Sequence, residues 1–340
     1  MRSGIATARG GRGRTCSAES GRVVRRVQAH MNTRSALALS AALVALCGCA
    51  PHLALLTAPA PQVEVATPLP VELPYRESVG GLVLVSGRID DKVDAWFILD
   101  TGAPVSVLID GRRTRALGLD TSAARPLGDP NDPAAPVGIV KSDFRWDFGP
   151  VALSGLTAVV VPESSMPCRE RFDAVDFAGV IGADLFRRFV VEIDPASRRI
   201  RLHDPATFQV PSGAVSVPLS FRGGHPFIPS TVMLASGERI EHELHLDIGA
   251  SQPLSLVATS HPALRMPEGE AKFSCLVNGT QEQRVGAPLE VVVGGVKMPV
   301  ERPVYSDGRV KVQRLGAAGL ALFGGRRVAI DYPGKRLVIL

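Results

Sequence analysis

The sequence predicts an all-β protein built from two homologous lobes with short helices, and three repeated features predict it. An apolar strand running into Asp-x-Gly-Ala occurs twice, as Phe97-Ile98-Leu99-Asp100-Thr101-Gly102-Ala103 and as Leu244-His245-Leu246-Asp247-Ile248-Gly249-Ala250, 147 residues apart. A second block, Gly179-Val180-Ile181-Gly182-Ala183-Asp184-Leu185-Phe186 leading into Val190–Asp194, returns as Gly316-Ala317-Ala318-Gly319-Leu320-Ala321-Leu322-Phe323 leading into Val328–Asp331, at an offset of 137. Each copy then closes on a strand of alternating residues, 198–202 in the first and 335–340 in the second.

In chain order, residues 1–48 read as a leader. The first thirty are rich in Gly and Arg without apolar periodicity, and Met31 is itself a natural start. Residues 33–49 pass from a basic start through an apolar run to small residues, the form of a secretory signal. The run is shorter than the roughly 20 residues that a membrane span needs. Its end, Leu46-Cys47-Gly48-Cys49, resembles the bacterial lipobox, which implies that Cys49 carries the lipid and becomes the mature N-terminus. With Ala50 next, that resemblance implies a lipid-anchored protein of the bacterial envelope, at the outer membrane and facing the periplasm.

Eight arginines and one glutamate fall in residues 1–48, so the 38 basic and 33 acidic residues of the whole chain become 30 and 32 from Cys49 onward. The basic balance belongs to the leader, and nucleic-acid binding loses its main support. Residues 49–75 read as an extended, lipid-anchored tether, because Pro59, Pro61, Pro68, Pro70 and Pro74 disfavour regular structure. The first lobe is then expected over 76–210 and the second over 211–340.

Within each lobe, an apolar strand that ends on an acid is a conflict, since an unpaired carboxylate in an apolar wall costs several kcal/mol. Two such acids brought face to face resolve it by sharing one proton, because like charges about 3 Å apart cannot both ionise. The neutral-plus-charged pair can then polarise a water, which is general acid–base hydrolysis. Gly102 and Gly249 permit the tight turn and leave the acids reachable. After the first acid, residues 114–119 read as a short helix, and Pro262-Ala263-Leu264-Arg265 follows the second at the same offset. The smaller offset of the later block means that the second copy is shorter somewhere between its acid and its Gly-x-x-Gly, a change that loops absorb cheaply.

The order of apolar strand, Asp-Thr-Gly-Ala, second strand, Gly-Val-Ile-Gly-Ala-Asp-Leu-Phe and closing Val-Val-Glu-Ile-Asp strand resembles the retropepsin-like and pepsin-like aspartic proteases, including bacterial single-chain relatives. The resemblance covers roughly residues 76–204 and, more faintly, 216–340. It implies two β-barrel lobes with an active-site cleft between them, Asp100 and Asp247 as the catalytic dyad, and Thr101, Gly102, Ala103, Ile248, Gly249 and Ala250 as the supporting loops. It further implies an aspartic-type endopeptidase acting on a peptide or protein substrate as a monomer, with no cofactor and no metal. One departure stands out. Ile248 takes the place of Thr101 in the second copy, so the hydroxyl that reaches across to the opposite lobe is missing on one side. Two other readings stay open: a catalytically inactive envelope lipoprotein that binds peptide, and a homodimer using Asp100 from each chain.

Other features are less specific. His242-Glu243-Leu244-His245-Leu246-Asp247 offers metal-ligand types, yet His242 faces away from His245 and Asp247 on a strand, and the alternative is histidines near the solvated start of a strand. Substrate-covering hairpins are expected in Pro126–Asp143 and Cys275–Gly286, with ordinary surface loops as the alternative; Asn278-Gly279 is a hairpin-turn pair. Cys168 and Cys275 lie in different lobes, and a bridge between them stays open. Trp96 and Trp146 read as core or rim. No Gly-x-Ser-x-Gly elbow, Walker loop or dinucleotide fingerprint is present.

Overall fold

Strand Val93–Leu99 shows why the repeat folds as it does. Val93, Ala95, Phe97 and Leu99 are buried in the main core, as a period-two strand requires, while Trp96 and Ile98 serve the other face. It forms a hairpin with Val83–Ile89 through Asp90 and Asp91, both at positive φ, the turn geometry that matches strand twist. The computed structural model describes residues 55, 58–78, 80–127, 137–165, 177–276, 279–308 and 314–340. The leader, Cys49 and Cys168 lie outside the described residues.

The acid-bearing strand is parallel to Phe177–Ile181, with Leu99 opposite Ile181, and that strand is antiparallel to Val107–Asp110. The second repeat copies this. Arg239–Leu246 is parallel to Gly316–Ala318, with Leu246 opposite Ala318, and Gly316–Ala318 is antiparallel to Leu254–Val257. Both sequence offsets, 147 and 137, therefore meet in one pairing. The Gly-x-x-Gly block must be bare because the acid loop crosses it: a Cβ on Gly182 would sit 2.6 Å from the Ala103 carbonyl oxygen, and one on Gly319 still closer to that of Gln252.

The protein is nearly all β and contains a closed six-stranded barrel. In the first repeat the circuit runs Val83–Ile89, Val93–Leu99, Phe177–Ile181, Val107–Asp110, Val151–Pro162 and Val137–Asp147, and closes where Ile89 pairs with Trp146. In the second repeat the long hairpin is interrupted. Gly279–Val285 and Leu289–Val293 are separated at Pro288, and Val296–Val300 and Val304–Ser306 at Pro303, where proline cannot donate to the ladder. The connections also shorten, from 127–136 to 277–278 and from 163–176 to 307–315, which is where the second copy loses length.

The closing hairpins of the repeats lie side by side in one antiparallel sheet, ordered Val215–Pro218, Arg336–Ile339, Val328–Asp331, Val190–Asp194, Arg199–His203, Val71–Glu77. Val191 opposite Ile330 and Ile193 opposite Val328 form the seam. This corrects the tether. Gln62–Val65 pairs with residues 151–154, and Val71–Glu77 is a sheet strand whose Val71, Leu73 and Tyr75 are buried. The prolines masked that alternation, and Pro74 fits because its ring points outward. The expected short helix is a 3-10 turn at Arg115–Leu117; at residues 262–263 the second copy has only a turn.

Trp146 is fully buried, its ring centroid 4.7 Å from that of Phe97, whereas Trp96 sits half-buried beneath the Arg76 guanidinium. No described helix is long and apolar enough to cross a membrane.

Candidate active site

Asp100 and Asp247 each follow the last residue of a strand whose neighbour fixes the backbone. The Asp100 N–H donates to the Ile181 carbonyl at 3.0 Å and the Asp247 N–H to that of Ala318 at 2.9 Å. The two carboxyls hydrogen-bond to each other. Asp100 Oδ1 also accepts from the N–H of Gly102 at 2.6 Å and of Gly249 at 3.2 Å. Each glycine lies against the opposite acid. A Cβ on Gly102 would stand 2.6 Å from Asp247 Oδ1, and one on Gly249 would collide with the Asp100 carboxyl. Asp247 keeps 22 % of its side-chain surface exposed, so water reaches the pair.

Burial, then the Asp247 charge, pushes the Asp100 carboxyl well above the usual carboxylate range. Burial raises Asp247 as well, opposed by the hydrogen bond from Asp100 and by the nearby Arg314 and His225. One proton held between two carboxyls is the arrangement that this electrostatics favours.

Thr101 ties the repeats together. Its Oγ1 donates to the Leu246 carbonyl at 2.7 Å and accepts from the Ile248 N–H at 3.1 Å, both across the junction. Ile248 is buried and returns no such bond, as a hydrocarbon side chain must. Tyr332, stacked on Phe186 and edge-on to Phe221, donates its hydroxyl to the Thr101 carbonyl at 3.4 Å. The Ala250 N–H closes the second acid turn on the Asp247 carbonyl, and the Ala103 carbonyl accepts from the Ala183 N–H.

Residues 85–185 match the aspartyl protease family model. Over these residues the chain is similar to the retropepsin-like aspartyl proteases. The likeness supports a general aspartic protease function, that of a hydrolase. The match spans Asp100 to Ala103 and the Gly-x-x-Gly block, and it stops before the second copy, which joins the protease fold through the internal repeat. Comparison with curated proteins finds no match.

The arms of both candidate covering hairpins are present in this aspartyl protease fold: Arg125–Pro126 pairs with Val137–Gly138, and Ala271–Leu276 with Gly279–Val285. Their connections at 128–136 and 277–278 lie outside the described residues.

The histidines need correction. His242 is exposed, but His245 is only 3 % exposed and is not solvated. Its Nδ1 is 2.7 Å from Arg314 Nη1, and its ring lies 5.1 Å from that of His225. His225 in turn stands near the Gly102 backbone of the opposite repeat. Sequence reasoning missed His225, Arg314 and Tyr332. For Arg314 the signal was available in the repeat itself, where it replaces Phe177 at the offset of 137. Among the described residues no group of three or more His, Cys, Asp and Glu side chains is placed to hold a metal ion.

Proposed function

We propose that the protein is a single-chain aspartic endopeptidase in which Asp100 and Asp247 share one proton and activate a water. The observation that carries this reading is the direct hydrogen bond between two carboxyls contributed by the two repeats of one chain. The ionised carboxylate takes a proton from the water as its oxygen bonds to the scissile carbonyl carbon, and the protonated partner gives its hydrogen to the carbonyl oxygen. A neutral gem-diol results. On collapse, the carbon–nitrogen bond breaks, the newly protonated acid delivers its proton to the leaving nitrogen, and a diol hydroxyl restores the proton of the other. The intramolecular contact favours this reading over a dyad made from Asp100 of two chains.

Digestion of a peptide library at several pH values tests it. Cleavage that a pepstatin-like transition-state analogue blocks is the expected result, and no cleavage at any pH between 3 and 8 would contradict it.

We further propose that the chain is a lipid-anchored envelope protein, on the strength of Leu46-Cys47-Gly48-Cys49. Replacing Cys49→Ser is expected to move the protein from the membrane to the soluble fraction, and unchanged membrane retention would refute the anchor.

A further inference from the structure

In the first repeat, the strand face beside Asp100 is apolar. Ile98, two residues before the acid, clusters with Leu82, Leu84 and Val180, against Trp96 and Phe177. The second repeat places different chemistry there. The offset of 147 puts His245 where the first copy has Ile98, and the offset of 137 puts Ala317 at Val180 and Arg314 at Phe177. Sheet pairing agrees, since Ile98 faces Val180 and His245 faces Ala317.

A guanidinium has no acceptor, so in the Arg314–His245 contact the imidazole Nδ1 accepts and its proton lies on Nε2. Burial, then Arg314, pushes the His245 pKa down to about 2, which keeps the ring neutral. At 3.9 Å, its Nδ1 is too far from Asp247 Oδ2 for a hydrogen bond. His245 therefore holds the arginine in place and adds no charge. The groups facing Asp247 are Asp100 and Gly249 from the acid loops, His225, His245, Arg314 and Tyr332, with Arg222 behind His245 and Arg187 near Tyr332. Of these, Arg314 is the permanently charged group that stands one imidazole away from Asp247, 2.7 Å from His245 Nδ1, which is itself 3.9 Å from Asp247 Oδ2, and it favours the Asp247 anion. On the other acid, Oδ1 already accepts two backbone N–H groups, which leaves Oδ2 to carry hydrogen.

We propose that Arg314 is a positioning residue which fixes the negative charge of the pair on Asp247 and the shared proton on Asp100 Oδ2, so that Asp247 is the base and Asp100 the acid. This rests on the proteolytic reading of the pair for its consequence in catalysis, but not for its test. At the matching position the first repeat carries the uncharged Phe177. The asymmetry of the two lobes thereby sets the direction of proton flow.

The side-chain carboxyl signals of Asp100 and Asp247, assigned with Asp100→Asn and Asp247→Asn, are to be titrated by carbon-13 NMR in the full chain and in Arg314→Gln and Arg314→Lys. Removing a cation that favours the anion raises the pH at which Asp247 ionises, by about one unit or more. Arg314→Lys should restore most of that shift, and the acid limb of kcat/KM should move upward in parallel for Arg314→Gln. An unmoved Asp247 midpoint in a folded Arg314→Gln protein overturns the proposal, as does a lysine variant that titrates like the glutamine one. The titration needs no substrate. A chain that cleaves nothing would thus sink the protease reading while the charge assignment is still decided by the NMR shift.

Discussion

Asp100→Asn is expected to lower kcat/KM for peptide cleavage by on the order of 10^3-fold or more, the scale of a positioned acid–base group, while leaving the fold intact. Asparagine keeps the shape and can still accept from the N–H groups of Gly102 and Gly249, so the turn survives. It cannot cycle a proton. Stability provides the control. The pKa of Asp100 is raised in the folded protein, so folding loses free energy as pH rises from the ordinary carboxylate range through that raised value. Asparagine removes this penalty, and Tm near neutral pH should equal or exceed that of the parent. A variant with parental kcat/KM would remove Asp100 from the mechanism, and one that fails to fold would contradict the local account of the turn.

Thr101→Val should have the second-largest effect, this time on the fold. The substitution keeps the β-branched shape and deletes the hydroxyl that bonds Leu246 and Ile248 across the junction, leaving the Leu246 carbonyl and the Ile248 N–H buried without their partner. Two orphaned backbone groups cost about 2–4 kcal/mol, which for a body of this size is a fall in Tm of roughly 5–10 °C. Ile248, a buried hydrocarbon at the matching position, supplies no reciprocal bond. Thermal unfolding of Thr101→Val and Thr101→Ser checks this. The serine variant should retain most of the stability, and a valine variant as stable as the parent would show that the crossing bonds do not hold the acids together.

Much of this architecture was legible because the chain states it twice. Phe97–Ala103 and Leu244–Ala250 announce the acid turns, and the two offsets of the Gly-x-x-Gly block anticipate a pairing in which Leu99 meets Ile181 and Leu246 meets Ala318. What the repeat does not encode is how its copies meet. The seam between Val191 and Ile330 joins strands far apart in sequence whose alternation is the same in any sheet. Val71–Glu77 was hidden for a related reason: its flanking prolines suggested irregular chain, while the partner that makes it a strand, Arg199–His203, lies well downstream. The cluster of His225, His245 and Arg314 comes from three separate elements, and no local spacing links them. The comparison of one copy with the other marks His245 and Arg314, polar residues where the first copy has Ile98 and Phe177.

The central claim is that the two acids of one chain form a single pair, and kcat/KM of Asp247→Asn tests it most directly. A loss as deep as that of Asp100→Asn is expected, because each acid is then left without the other. Parental activity in Asp247→Asn would contradict it, since Asp100 would then have to find its partner elsewhere.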